Sequence, residues 1–324
     1  MSRPATAVQR EAAFPVCPVL LSGGMQVVKL HDDEVDVDEG LVRRLLAAQA
    51  PGWADLSLRL AEPAGTDNVM VRLGADLVVR LPRTQSAAKG LDKEQQVVPR
   101  LARHLPAPVP VPVVQGVPQD GYPFRWSISR WLPGRPGEPG VADVGLARQL
   151  AEFVVALRTL DTLGLVAEGA LHSYRGDPLA ERDEDTRECI GQCRDLLDIS
   201  RVAAAWDRAV DVEEYAGPPV WMHADLQPGN LLVGPGGLAA VLDWGMLALG
   251  DPAVDCLVAW SLLDATTRSA FRDLVSVDDA TWARGRGWAL SIALIALPYY
   301  VHSNSQITAW ARHAITQTVD DALG

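Results

Sequence analysis

Apolar residues recur along the chain with two different periods, and the change from one to the other divides it. Near the start, Leu41, Val42, Leu45 and Leu46 fall at helical spacing with Asp38 placed to cap the first turn, so the pattern predicts a helix over 38–49. Pro51-Gly52 stops it. The pattern then changes. Leu56-Ser-Leu-Arg-Leu60, Asn68-Val-Met-Val-Arg-Leu73 and Leu77-Val-Val-Arg-Leu81 alternate apolar and polar positions or run β-branched, with turn residues between them, and predict an antiparallel three-strand meander. A helix is expected over 89–104, where Val97, Val98, Leu101 and Leu105 share a side, and Pro99 marks either a bend in it or its real beginning. Alternating Pro and Val over 106–118 favour an extended path before a strand at 124–129.

Beyond residue 141 the spacing becomes helical, over 143–160, 179–198, 200–215, 252–264, 269–275 and 280–315. The fold class that follows is α+β, with a small antiparallel-sheet lobe ahead of a larger, mainly helical one. A chain of 324 residues suits two lobes with a cleft between them better than one core. The expected division is a poorly ordered leader over 1–24, an N-terminal lobe over 25–132 with a hinge at 128–134, and a helical lobe over 133–324. Residues 1–24 lack the pattern of a secretory signal and leave Met25 as an alternative start. The apolar run Trp288–Val301 is too short to cross a bilayer and contains Pro298, so it reads as a buried helix and no membrane association is expected.

Charge narrows the partners. A net charge of −12 argues against nucleic acid, which needs a basic footprint, and would attract cationic small molecules, although acidity also serves solubility alone. Cys17, Cys189, Cys193 and Cys256 form no CxxC pair and have no nearby histidine at ligand spacing, so they read as reduced thiols of a cytoplasmic protein. No feature indicates an oligomeric state.

The chemistry concentrates in His223-Ala-Asp-Leu-Gln-Pro-Gly-Asn230, followed by the strand-like Leu238–Leu242 and Asp243-Trp-Gly245. Phosphoryl transfer to an alcohol needs a carboxylate to orient or deprotonate the hydroxyl, and magnesium held against the phosphates. Asp225 suits the first task, and the oxygens of Asn230 and Asp243 suit a hard octahedral cation. Each of them alone would pass for a turn-capping residue; together at this spacing they point to Mg²⁺ and a nucleotide. His223 reads as a brace of the loop.

HADLQPGN with LDWG resembles the aminoglycoside phosphotransferase family, which includes macrolide kinases and shares the bilobal protein-kinase-like fold. The resemblance runs from about residue 40 to 315 and implies Asp225 as catalytic base with Asn230 and Asp243 as magnesium ligands. It also implies a phosphate-covering turn at Gly65, Thr66 and Asn68, which as sequence is equally an ordinary hairpin turn. Arg80 stands where a lysine on the third strand would hold phosphates, with Glu94 on the next helix as its partner. The hinge would read the base of ATP or GTP through the backbone of Arg130 and Leu132. Trp131 is either a wall of the acceptor site or packing.

Gly250-Asp-Pro-Ala-Val-Asp255 resembles another family segment, in which Asp251 reads as a helix cap before Pro252 and Asp255 as a brace of the catalytic loop. Glu181, Asp183, Glu184 and Asp185 could hold amino groups of an acceptor, or simply begin a solvated helix. Trp260, Trp288, Tyr299 and Tyr300 could line a pocket, though most are expected in the core. The reading is a kinase moving the γ-phosphoryl of a nucleoside triphosphate to a small-molecule hydroxyl, foremost an aminoglycoside or macrolide antibiotic. A metabolic kinase for a sugar, amino alcohol or choline-like acceptor shares the same motifs. A non-catalytic nucleotide-binding regulator is disfavoured, because base and metal-ligand positions are all intact.

Overall fold

A computed structural model describes Val27, Lys29 and residues 34–61, 67–162 and 171–324. The leader with Cys17 and Met25, and Gly65 and Thr66 of the turn before Asn68, lie outside the described residues.

Helix α1 (Glu39–Gln49) begins as the pattern predicts: Asp38 accepts from the Leu41 amide at 2.7 Å, and Leu41, Val42, Leu45 and Leu46 are buried. Strands β1 (Leu58–Leu60), β2 (Asn68–Leu73) and β3 (Leu77–Pro82) form the expected meander, which β4 (Pro112–Gly116) and β5 (Trp126–Arg130) extend into an antiparallel sheet of order β1-β2-β3-β5-β4. Alternation along β3 puts Val79 and Leu81 in the small core beneath the sheet, so Arg80 leaves on the other face.

Helix α2 (Gln85–Leu101) starts a turn earlier than the apolar spacing suggests, because Thr84 caps it by accepting from the Ala87 amide at 3.3 Å. Pro99 neither starts nor ends it. The carbonyl of Gln95, left without its intrahelical donor, accepts from Gln115 Nε2 at 3.1 Å. The end of α2 belongs to the larger core: Val97, Val98 and Leu101 join a cluster that runs on through the helical lobe.

That lobe holds α3 (Val144–Arg158), α4 (Asp183–Gln192), α5 (Ile199–Val210), α6 (Val258–Ser261), α7 (Ala265–Val275), α8 (Asp279–Tyr300) and α9 (Ser305–Leu323). Several are shorter than their apolar spacing suggests, and 252–257 is a 3-10 turn. The stretch 280–315 is two helices, not one: Asn304 accepts from the Gln306 and Ile307 amides and starts α9 afresh, while Pro298 is accommodated inside α8. Among the described residues no helix is long and apolar enough to cross a membrane.

Short strands interrupt the helices: β7 (Val220–Met222) pairs with β10 (Ala248–Gly250), and β8 (Leu231–Gly234) lies between β6 (Arg135–Pro136) and β9 (Gly237–Val241). Their ends fix the site. β7 stops just before His223, β8 starts just after Asn230, and β9 stops two residues before Asp243.

Candidate active site

The loop between β7 and β8 is bound at both ends to Leu242, next to Asp243. The Leu242 amide donates to the Asn230 carbonyl at 2.7 Å, and the Leu242 carbonyl lies 2.9 Å from His223 Nε2. A carbonyl only accepts, so His223 carries its proton on Nε2, and its bare Nδ1 accepts from the Asp225 amide at 3.2 Å. Full burial pushes the imidazole below its ordinary pKa and keeps this neutral form, although Asp225 nearby pulls the other way. The expected brace is a buried one.

Ala224 stands at φ 66°, a conformation that L-residues adopt at a cost of about 1–3 kcal/mol. Asp255 holds it there, its carboxylate accepting from the His223 amide at 2.8 Å and the Ala224 amide at 2.7 Å. Burial pushes the Asp255 carboxyl up to about 7, opposed by these two donors. The result presents Asp225, only 18% exposed, with Oδ2 accepting from Asn230 Nδ2 at 2.8 Å. The same amide nitrogen donates to the Asp225 carbonyl at 2.9 Å, so the Asn230 side-chain oxygen is the end left over.

Across the site, Arg80 joins the two lobes. Its Nη1 donates to Glu94 at 2.5 Å and its Nη2 to Asp243 Oδ1 at 3.0 Å, with the arginine and glutamate side chains 11% and 5% exposed. With its amide oxygen turned toward the guanidinium, Asn68 accepts from Nε and Nη2 at 3.3 and 3.2 Å. Burial opposes the Arg80 charge, but Glu94 and Asp243 outweigh it and raise its pKa. Burial also pushes the Glu94 carboxyl up, against the pull of Arg80 and of a bond from the Trp244 backbone. Asp243 sits at φ 55°, which Asp tolerates better than most residues.

The oxygens of Asn230 and Asp243 fit a magnesium ion. One is an amide oxygen freed by the bonds its nitrogen makes. The other belongs to a carboxylate that is 42% exposed and gives only Oδ1 to Arg80 and to a long 3.4 Å contact from the Gly245 amide. Hard oxygen donors with room for water and phosphate oxygens are what Mg²⁺ takes. Among the described residues no group of three or more His, Cys, Asp or Glu is placed to hold a metal ion.

The remaining candidates are scattered. Arg130 ends β5 exposed and Leu132 is half-buried; between them the Trp131 amide donates to the Asp76 carbonyl at 2.8 Å while Arg72 stacks 3.9 Å above the Trp131 ring. Asp183 accepts from Arg187 Nε and Trp206 Nε1, both at 2.8 Å, and its neighbour Glu184 is exposed. Trp260 and Trp288 are core residues, whereas Tyr299 is 58% exposed. Cys189, Cys193 and Cys256 are free thiols.

One participant was not visible in the sequence. Arg175, in a 3-10 turn at Tyr174–Gly176, donates from Nη1 to Asp225 Oδ1 and to the Ala224 carbonyl, the latter at 2.6 Å. Its only sequence signal is a Gly-Asp turn after it, which does not reveal a partner 50 positions away.

A sheet lobe whose Arg80, paired with Glu94, reaches Asp243 of a helical lobe that carries Asp225 and Asn230 in the adjoining loop has the arrangement of a protein-kinase-like phosphotransferase. Residues 58–288 match the phosphotransferase enzyme family, and the chain belongs to it. Its fold is similar to that of the GDP and kanamycin complex of APH(2")-IIia, with a TM-score of 0.68 and 21% identity over 87% of this chain and 98% of that one. It is also similar to macrolide 2'-phosphotransferase MphH from Brachybacterium faecium, at TM-score 0.58 and 20% identity over 85% and 97% of the two chains. The gentamicin complex of APH(2")-IIa gives TM-score 0.58 and 16% identity over 87% and 97%. No curated protein matches the sequence.

Proposed function

We propose that the protein moves the γ-phosphoryl of ATP or GTP to a hydroxyl of a small molecule, and that the acceptor is an antibiotic of the aminoglycoside or macrolide kind. The observation that carries this reading is the contact of Asp225 with Asn230 beside the Arg80–Asp243 bridge. On this reading a carboxylate for the acceptor and oxygens for the donor's cation share one wall. Asp225 accepts and orients the hydroxyl, while Asn230 and Asp243 would hold magnesium, which when bound draws the phosphates together and spreads their charge. Arg80 supplies fixed positive charge from the sheet lobe, and the backbone of Arg130 and Leu132 at the hinge, together with Asn68, would contact the nucleotide.

Similar structures hold GDP or ATP, which supports a nucleotide donor without choosing its base. Similar structures that hold kanamycin and gentamicin, and one of a macrolide kinase, support an antibiotic acceptor. The net charge of −12 favours an acceptor that carries amines, for which Asp183, Glu184 and the wall at Trp131 are the candidate contacts. Dependence on a nucleoside triphosphate favours a cytoplasmic enzyme. The test is nucleotide consumption by wild type and Asp225→Ala against aminoglycosides, macrolides and common metabolites. Turnover on an antibiotic that disappears in the variant is expected; turnover on metabolites alone overturns the antibiotic reading, and none with any acceptor overturns the kinase reading.

A further inference from the structure

Both oxygens of Asp225 are held by side chains from different parts of the chain. Asn230, five residues on, takes Oδ2, while Arg175 arrives from a separate turn and takes Oδ1. The arginine is 13% exposed; Nη1 also reaches the Ala224 carbonyl, next to Asp225, and Nε donates to the neighbouring Tyr174 hydroxyl at 3.1 Å. Burial opposes its charge, but Asp225 outweighs that and raises its pKa, so the guanidinium stays a cation.

The turn that carries it is built into the strands that carry the loop. A Cβ on Gly176 would come 2.6 Å from the Met222 methyl and 3.3 Å from the Gly250 Cα, and one on Gly250 would meet the Gly176 Cα at 2.7 Å. Two glycines without side chains therefore let the Tyr174–Gly176 turn lie directly on β7 and β10, the strands that bracket His223 to Asp243. Residue 175 is thereby fixed relative to Asp225 by backbone contact as well as by its own bond.

We propose that Arg175 is a positioning residue for phosphoryl transfer: it grips Oδ1 and the Ala224 carbonyl, and with Asn230 on Oδ2 it fixes the plane of the Asp225 carboxylate. This rests on the kinase reading above. In the step concerned, the acceptor oxygen bonds to the γ-phosphorus as the bond to the nucleoside diphosphate breaks, and the hydroxyl proton passes to a lone pair of Asp225 that neither holder uses. A carboxylate clamped at one oxygen only would turn about its Cβ–Cγ bond and offer that lone pair in the wrong direction. A misplacement of about 1 Å in such a contact costs roughly a hundredfold in rate.

The test compares Arg175→Ala, Arg175→Lys, Asp225→Asn and the Arg175→Ala/Asp225→Asn pair. We expect kcat to fall about 10- to 100-fold in Arg175→Ala with the nucleotide KM within about threefold, partial recovery in Arg175→Lys or on adding guanidinium ion, and no further loss when Arg175→Ala is placed on Asp225→Asn. A kcat within about threefold of wild type, or losses that multiply in the double variant, overturns the proposal. A crystal structure of Arg175→Ala, or of Arg175→Gln should the first not fold, decides the placement without turnover. A rotated Asp225 carboxylate is expected, and one superimposable on wild type overturns the proposal. Failure of the kinase reading shows separately, as a wild type that consumes no nucleotide with any acceptor.

Discussion

Gly90 on α2 and Gly245, two residues past Asp243, lie back to back: a Cβ on Gly90 would sit 3.3 Å from the Gly245 Cα and 3.4 Å from its carbonyl oxygen. Here the helix of the sheet lobe rides directly on the turn that carries Asp243, one turn of helix before Glu94. An alanine at this position gains about 1 kcal/mol of helix propensity and presses only slightly on the turn. Valine is branched at Cβ and cannot be accommodated without moving one backbone away from the other. We expect Gly90→Val to cost about 1–3 kcal/mol of stability and to lower turnover about tenfold, measured by denaturant unfolding and kcat. Unchanged turnover in a folded Gly90→Val protein would show that this contact does not set the distance between α2 and Asp243.

Arg80 bridges two carboxylates from different lobes with separate nitrogens, a task that needs a planar fork. Methionine at 80 leaves Glu94 buried without its cation, and breaking a buried pair on one side costs about 3–5 kcal/mol. Lysine keeps the charge but reaches one carboxylate at a time, so Arg80→Lys should fall between wild type and Arg80→Met. Urea midpoints give the order of stability, and nucleotide KM should rise in both variants. Equal stability of wild type and Arg80→Lys would mean that one carboxylate contact suffices.

The residues of this bridge were legible through the family resemblance laid over local pattern: Arg80 on an alternating strand, Glu94 on the helix after it, Asp243 after a strand-like run. The start of α2 was misplaced because Thr84 acts through its side chain and adds nothing to the apolar period. The division of 280–315 falls in the polar run His302–Gln306, where Asn304 accepts from the Gln306 and Ile307 amides and starts a new helix; helical spacing resumes on either side of that run and hides the break. Arg175 was out of reach for a different reason: its partner is distant in sequence, and the contact depends on Gly176 packing against Gly250, which no local period records.

His223 makes stability depend on pH in a predictable direction. Burial lowers its pKa in the folded protein below the ordinary value of 6.5, so above that value both states are neutral and pH has no effect through this residue. Below 6.5 the unfolded chain takes up a proton that the buried imidazole refuses, and stability falls by up to about 1.4 kcal/mol per pH unit until the lowered pKa of the folded state is reached. Glutamine keeps a side-chain donor for the Leu242 carbonyl but does not titrate. The stability difference between wild type and His223→Gln should therefore be constant from pH 8 to about 6.5 and shift against wild type below it, read from urea midpoints. A difference that stays flat down to pH 5 would mean that His223 is not held neutral.

Asp255 is the acceptor for two consecutive amides, and an asparagine there can serve only one of them. Its oxygen would take the His223 or the Ala224 amide, while its NH₂ group would face the other donor and leave it unsatisfied, at about 1–3 kcal/mol. Ala224 has the greater reason to move, because releasing its amide also releases a strained φ of 66°. Relaxation at Ala224 swings Asp225, the next residue, away from Asn230 and Arg175. Asp255→Asn is therefore expected to lose more activity than its stability loss explains: unfolding shifted by about 1–3 kcal/mol, with kcat down at least about tenfold at temperatures where the variant is fully folded. Equal stability loss with full kcat would show that Asp225 keeps its place without the strained residue beside it, and that Asp255 serves folding alone.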